Sequence, residues 1–191
     1  MTHLPATLAT RRLLLRPPQV EDARAINEAV VESFAELNAW MEWAAAVPSL
    51  DDTRAFCQDA IRQRADGAAC PMLMLEADTG TLVGASGYAR IDWKVPAFEI
   101  GYWCRTPLCG RGYVTETAEA LARHAFDVLG ARRVEIRMDD RNVRSAAVAQ
   151  RLGFELEGIL RNQARDHHAR LRDTRVYALV DVTRLRTPSP G

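Results

Sequence analysis

The residues able to do chemistry concentrate in one run, Glu99-Ile100-Gly101-Tyr102-Trp103-Cys104-Arg105-Thr106-Pro107-Leu108-Cys109-Gly110-Arg111-Gly112-Tyr113-Val114-Thr115-Glu116. It reads as an apolar strand, a glycine turn, and a helix beginning at Val114 or Thr115. Gly110 and Gly112 permit a close approach that a Cβ would block. The first N–H groups of a helix lack partners and the dipole there favours negative charge, so a strand–glycine turn–helix unit suits an anion. Arg105 and Arg111 add positive charge to the turn. Two common phosphate motifs are excluded. No lysine follows either glycine, as a P-loop requires, and Thr115 stands where a dinucleotide fingerprint needs its third glycine.

The rest of the chain supplies the elements that must hold this run. Residues 1–9 read as a loose leader, and Arg12–Arg16 as a first strand stopped by Pro17-Pro18. Helical spacing runs from Gln19–Asp22 through Ile26, Ala29, Val30, Phe34 and Leu37 towards Met41. A second helix follows Ser49, with Ala55, Phe56, Ala60 and Ile61 inward, and ends near Gly67. Strands are expected over 70–77, 81–91 and 97–104, with Gly84 and Gly87 marking a bend or bulge. Gly130 caps the helix after the glycine turn. A strand over 132–138, a helix over 145–152 and a strand over 154–160 come next. A polar loop over 161–171, a strand over 174–182 and a disordered tail over 186–191 end the chain. Three consecutive central strands imply antiparallel pairing, and the later strand–helix–strand units imply some parallel pairing. The fold class is therefore α/β (α+β), a mixed sheet with helices on both faces.

Bulk properties bound the function. The 191 residues fit one domain, and 48% hydrophobic with 26% charged residues is ordinary globular composition. With 25 basic and 25 acidic residues, bulk attraction to nucleic acid or an anionic membrane is not expected. Cys57, Cys70, Cys104 and Cys109 form no C-x-x-C pair and no zinc spacing, so no metal and no disulfide framework are expected, and a reducing cytoplasm fits. Leu13-Leu14-Leu15 is too short for a signal segment, and no run approaches the ~18 apolar residues of a membrane span.

Taken with its neighbours, the run resembles the GNAT superfamily of acyl-CoA-dependent N-acetyltransferases, in particular the branch typified by ribosomal-protein alanine N-acetyltransferases. Arg12-Leu13-Leu14-Leu15-Arg16 is similar to that branch's opening strand, and Trp43 to a recurrent tryptophan. Glu99–Trp103 followed by Gly110–Glu116 resembles the acetyl-CoA signature. Asn142-x-x-Ser145, the run Leu152–Arg161, and Asp173 with Tyr177 complete the likeness, which covers about residues 10 to 183 of a single domain 1–191.

The resemblance implies a sheet splayed in its middle, acetyl-CoA as cosubstrate without a metal, and a primary amine as acceptor, either a protein N-terminus or a small molecule. Its implied CoA contacts are Tyr102, Trp103, Cys104, Arg105, Leu108, Cys109, Gly110, Arg111, Gly112, Tyr113, Val114, Thr115, Asn142 and Ser145. The turn from Leu108 to Thr115 would cradle the pyrophosphate. The strand Tyr102–Cys104 would pair with the pantetheine arm. Asn142 is expected to hydrogen-bond that arm; the alternative is a loop turn or a helix cap. A homodimer is common in the family.

Acetyl transfer needs a base for the amine, stabilisation of the thioester oxygen, and help for the leaving thiolate. Ser145 is the candidate for the sulfur, with capping of a 146–152 helix as the alternative. The tyrosine that many GNAT enzymes carry five residues before the phenylalanine of Gly153-Phe154 is replaced by Ala149. Glu99 is the candidate base, with a salt bridge to an arginine such as Arg137 as the alternative. The branch's proposed carboxylate position is Ala164, so Asp166, His167 and His168 are substitutes from the same loop. Glu116 reads as a first-turn charge. Trp40, Trp43 and Tyr88 are candidates for the acceptor pocket. Cys104 or Cys109 would permit an acetyl-cysteine route, but no paired histidine and carboxylate activates either. The departures at Ala149 and Ala164 motivate an alternative, a non-catalytic acyl-CoA-binding or regulatory module.

Overall fold

The computed structural model describes residues 4–187. Its strands are β1 (Leu8–Ala9), β2 (Leu13–Arg16), β3 (Cys70–Glu76), β4 (Leu82–Asp92), β5 (Ala97–Cys104), β6 (Arg133–Asp139), β7 (Glu155–Arg165) and β8 (Leu171–Leu179). The helices are α1 (Ala23–Glu32), α2 (Phe34–Trp40), α3 (Leu50–Ala65), α4 (Tyr113–Asp127) and α5 (Val143–Arg151). The strands form one sheet in the order β1-β2-β3-β4-β5-β6-β8-β7. Every neighbouring pair is antiparallel except β5 and β6.

Strand alternation divides the apolar residues between two layers. On one face Leu13, Leu15, Met72, Met74, Tyr88, Phe98, Ile100, Val134 and Ile136 pack on Ala118, Leu121, Ala122 and Ala125 of α4, and on Ala146 and Ala149 of α5. On the other, Leu73 and Leu82 meet Ile26, Val30, Leu37 and Cys57 of α1 to α3. The alanines matter here. They bring α4 and α5 close to the sheet at small cost in side-chain entropy.

Several boundaries differ from the sequence reading. Part of the expected leader is a strand: Leu8 and Ala9 pair with Leu15 and Leu14. The single helix expected up to Met41 breaks at Ser33, which is 1% exposed. The Ser33 hydroxyl accepts the Thr106 N–H at 3.0 Å, so the break is tied to the segment leading into the glycine turn. Ser49 caps α3 as expected, its oxygen accepting the Asp52 N–H at 3.1 Å. The helix is nevertheless rotated from the expected orientation. Thr53, Cys57 and Ala60 are buried, whereas Phe56 and Ile61 are exposed. Thr53 is held inward by the Asn27 side-chain amide, 3.1 Å from its hydroxyl, a tertiary bond that outweighs the apolar pattern.

The largest difference is at residues 161–171. β7 continues to Arg165 and β8 begins at Leu171, so most of the expected loop is a hairpin. Its residues are polar because β7 is an exposed edge strand, so apolar alternation is absent there. β8 stops at Leu179, and Val182–Arg184 forms a 3-10 turn capped by Asp181. Of the expected tail, the Arg186 N–H bonds the Leu152 carbonyl at 3.0 Å; residues 188–191 lie outside the described ones.

Glu116 fastens the sheet edge to α4. Its carboxylate accepts from the Thr10 hydroxyl at 2.6 Å, the Arg12 N–H at 2.8 Å and Arg12 Nε at 2.8 Å. Burial alone would raise its pKa, but these hydrogen bonds outweigh burial and lower it. A lowered carboxylate stabilises the fold above its unfolded pKa, and that contribution is lost as pH falls through the folded value. Glu116→Gln should therefore cost about 1–3 kcal/mol at neutral pH. In thermal melts the gap to wild type should close as pH drops below roughly 4.

Candidate active site

The site is built on a defect in the sheet. β5 and β6 pair at only three positions, Ala97 with Arg133, Phe98 with Val134, and Glu99 with Glu135. Beyond Glu99 the strands part, while β5 stays paired to β4 as far as Cys104 with Gly84. The β4–β5 register shifts between Tyr88 and Arg90, which leaves Ala89 as an extra residue opposite the start of the opening. A bulge of this kind raises local twist and bends the strand away from its neighbour. Gly101 makes room for it, since a Cβ there would lie 3.3 Å from that of Ala89. From Ile100 to Cys104, the side of β5 that faces β6 is an open strand edge.

The far end of the opening leads into the glycine turn. A 3-10 turn, Thr106–Leu108, follows β5, and Gly112 then caps α4 with φ 81°, so α4 begins at Tyr113. Gly112 has no side chain to cap the first turn, so the N–H groups of Tyr113, Val114 and Thr115 face outward as donors. Arg111 is exposed beside them. Arg105 is placed differently from expectation. Its Nε bonds Glu32 at 2.7 Å, and its charge is already balanced there. Two other cations stand at the turn. Arg12 lies over the Tyr113 ring at 4.5 Å; its Nε is paired with Glu116 at 2.8 Å, and its Nη2, 3.4 Å from where a Gly112 Cβ would be, reaches the turn. Arg151 bonds the Thr115 hydroxyl at 3.3 Å. Neither was legible, because each comes from an element far away in the chain. A pyrophosphate fits this donor set. An amide-bearing arm fits the open edge that leads away from it.

Asn142, Ser145 and Tyr102 come together at one side of the opening. Asn142, not Ser145, caps α5: its Oδ1 accepts the Ser145 N–H at 3.0 Å. Ser145 therefore sits inside the first turn of α5 with its hydroxyl free of capping. That hydroxyl lies 2.9 Å from the Tyr102 hydroxyl. Burial pushes the Tyr102 phenol up to about 12, against a smaller lowering by Ser145.

Glu99 marks the closed end of the opening. Alternation puts Glu99, Gly101 and Trp103 on the β5 face opposite Phe98, Ile100 and Tyr102. Its salt-bridge partner is Arg90, at 3.3 Å, and not Arg137, whose nearest carboxylate is Glu135 at 3.8 Å. Burial raises the Glu99 pKa, against Arg90 and Arg137. Its neighbour Glu135 is bound more heavily, by Arg90 at 3.0 Å and by Arg133 at 2.8 Å. Glu135 is thus held by the sheet, and Glu99 is the carboxylate with capacity to spare.

The expected acceptor residues separate. Trp43 is exposed and its ring centroid lies 6.3 Å from that of Trp103. Trp40 is half-buried at the end of α2. Tyr88 is no pocket residue: it is fully buried, and its hydroxyl donates to the Leu121 carbonyl at 2.9 Å. Of the loop substitutes, Asp166 is consumed by its own turn, accepting the His168 and Arg170 N–H groups at 2.9 and 3.0 Å. His167 Nε2 lies 3.0 Å from the Met41 carbonyl, which fastens the hairpin tip to the segment before Trp43. Arg172 does the same through Glu42 at 2.7 Å. Cys104 and Cys109 are free thiols beside the turn, and burial pushes Cys104 up to about 12. Among the described residues, no group of three metal-ligating side chains is gathered, and no helix is long and apolar enough to cross a membrane.

Comparison with known proteins bears on what this arrangement holds. Residues 12–155 match the family model of the acetyltransferase (GNAT) domain. The chain is 31% identical to the ribosomal-protein-serine acetyltransferase of Escherichia coli, over 82% of this chain and 86% of that one. It is 28% identical to the uncharacterized N-acetyltransferase p20 of Bacillus licheniformis, over 91% and 96%. Among solved structures, a ribosomal L7/L12 alpha-N-protein acetyltransferase in complex with coenzyme A superposes with a TM-score of 0.86 at 25% identity, over 92% of this chain and 98% of that one. A split sheet, a glycine-capped helix and these matches together make the chain a member of the GNAT family, an acetyl-CoA-dependent N-acetyltransferase.

Proposed function

We propose that this enzyme acetylates the α-amino group of a protein N-terminus by direct attack in a ternary complex. The observation that carries the reading is the position of Glu99. It stands where β5 leaves β6, on the sheet face opposite Tyr102, with its proton affinity raised by burial. A carboxylate of raised pKa accepts a proton more readily than an ordinary one. An α-amine, with pKa ~8, is partly neutral near pH 7, whereas a lysine at ~10.4 is not, so a single modest base suffices only for the first. Two of the relatives named above are acetyltransferases named for ribosomal-protein acceptors, which favours a protein acceptor.

Acetyl-CoA supplies the acetyl group as an activated thioester. The N–H groups of Tyr113–Thr115 with Arg12, Arg111 and Arg151 hold the pyrophosphate, and the edge Tyr102–Cys104 pairs with the pantetheine amides. Asn142 spends its Oδ1 on the α5 cap and keeps its NH2 group to donate to that arm. Backbone N–H groups around Trp103 and Cys104 polarise the carbonyl, and the Ser145 hydroxyl faces the sulfur. Glu99 takes the amine proton, directly or through water. Trp43 and the β7–β8 hairpin flank the acceptor's entry. An acetyl-cysteine route is disfavoured, since Cys104 holds its proton far above neutral pH.

Release of free CoA thiol from acetyl-CoA should be fast with peptides bearing a free N-terminal serine or alanine, and slow with N-blocked peptides whose only amine is lysine. Equal turnover of small amines, or turnover of none of the panel, would overturn the reading. Glu99→Gln should lower kcat roughly 100-fold. It should also remove an acid limb that lies above the ordinary carboxylate pKa of ~4.3, because the active form is the ionised one and burial raises its pKa. Gly112→Val should weaken acetyl-CoA binding at least tenfold by calorimetry. Its Cβ would meet only Arg12, so the cost is backbone strain at φ 81° at the mouth of the cradle.

A further inference from the structure

We propose that Tyr102 is a positioning residue that orients the Ser145 hydroxyl as a hydrogen-bond donor to the departing CoA sulfur. The inference rests on the reading that Ser145 faces that sulfur. Tyr102 lies on β5 and Ser145 on α5, so the contact bridges the two sides of the opening. The phenol has one proton and two acceptors within reach, Ser145 Oγ at 2.9 Å and the Ser145 carbonyl at 3.3 Å. If the phenol bonds the carbonyl, Ser145 spends its own proton on the phenol oxygen and presents a lone pair to the sulfur. If the phenol bonds Oγ, the serine proton is free to point at the sulfur. The shorter contact is the second, and a negatively charged sulfur favours it, because the other arrangement sets lone pair against anion. A chain in which each donor is itself a recipient is also stronger than its separate bonds.

Proton affinities decide what the chain does. A thiol ionises near ~8.5, whereas Tyr102 is pushed up to about 12 and an aliphatic hydroxyl holds its proton more tightly still. The proton therefore stays on oxygen. As the carbon–nitrogen bond forms and the carbon–sulfur bond breaks, sulfur keeps the electron pair, the amine proton goes towards Glu99, and Tyr102–Ser145 stabilises the thiolate by hydrogen bonding alone. The phenol remains neutral throughout the working pH range, so the donor never switches off. This arrangement replaces the tyrosine absent at Ala149 with one that arrives from the strand.

The test follows the ultraviolet absorbance of the thiolate of CoA bound to the enzyme as pH is raised. The complex with desulfo-CoA, which has no sulfur, serves as the blank for the protein's own thiols. In wild type the bound thiol should ionise at a lower pH than free CoA titrated alongside. In Tyr102→Phe the midpoint should rise by about one pH unit and kcat should fall roughly tenfold, one charge-assisted hydrogen bond's worth, with KM for acetyl-CoA within about twofold. Ser145→Ala should shift both at least as far, and the double variant should add little. If Ser145→Ala shifts the midpoint and kcat while Tyr102→Phe leaves both unchanged, the role of Tyr102 is overturned and the reading of Ser145 stands. If neither variant moves the midpoint, Ser145 does not face the sulfur and both ideas fall. If Tyr102→Phe weakens CoA and desulfo-CoA equally with no change in midpoint, the phenol is only a packing group.

Discussion

A parallel strand pair that stops after three residues governs this molecule. Backbone N–H and C=O groups must be paired or wet. β5 satisfies its β4 side through Cys104, but its other side is released beyond Glu99. The fold accepts an open edge in the middle of a sheet, which elsewhere would be covered or blunted. The cost is local, because β6 remains fully paired to β8 on its outer side, and α4 and α5 brace both strands from below. The edge left open has the donors and acceptors that an extended, amide-bearing molecule would pair with.

Everything that makes the opening useful comes from elements it holds apart or brings together. At the wide end, the first turn of α4 offers N–H groups, and Glu116 anchors that turn to Thr10 and Arg12 of the sheet's first edge. Ser33 anchors the approach to the same turn from the other layer. At the narrow end, Glu99 and Glu135 sit side by side among Arg90, Arg133 and Arg137. The arginines divide unequally: Glu135 is held by Arg90 at 3.0 Å and by Arg133 at 2.8 Å, whereas Glu99 has Arg90 at 3.3 Å. Across the opening, α5 carries Ser145 to Tyr102. The β7–β8 hairpin is tied to the segment before Trp43 through Arg172 with Glu42 and His167 with Met41.

Local signals were read well where one element suffices. The glycine turn, the Ser49 cap, the Gly84–Gly87 irregularity and the alternation of Val134, Ile136 and Met138 all follow from short-range sterics and periodicity. Signals that depend on a partner were not. The β7 extension is polar since both its faces are exposed, so nothing in Arg161–Arg165 separates a strand from a loop. Phe56 and Ile61 suggested the wrong face of α3, because Thr53 is drawn inward by Asn27. Tyr88 looked like a pocket aromatic and is a core residue whose hydroxyl is satisfied by α4. Arg105 looked like a phosphate ligand and is balanced by Glu32, 73 residues away in the chain.

The amino-acid sequence by itself determined the donor side of this enzyme. Residues 99–116 are contiguous, and a strand, a left-handed glycine and a helix start are set by backbone preferences that neighbours in sequence enforce. Only the tertiary structure decided which groups surround that run. It gave Glu99 an Arg90 partner and a raised pKa, freed Ser145 by handing the cap to Asn142, and set a tyrosine from β5 against it. These are long-range pairings, and their strength depends on burial and orientation, neither of which is written in the spacing of residues along a chain.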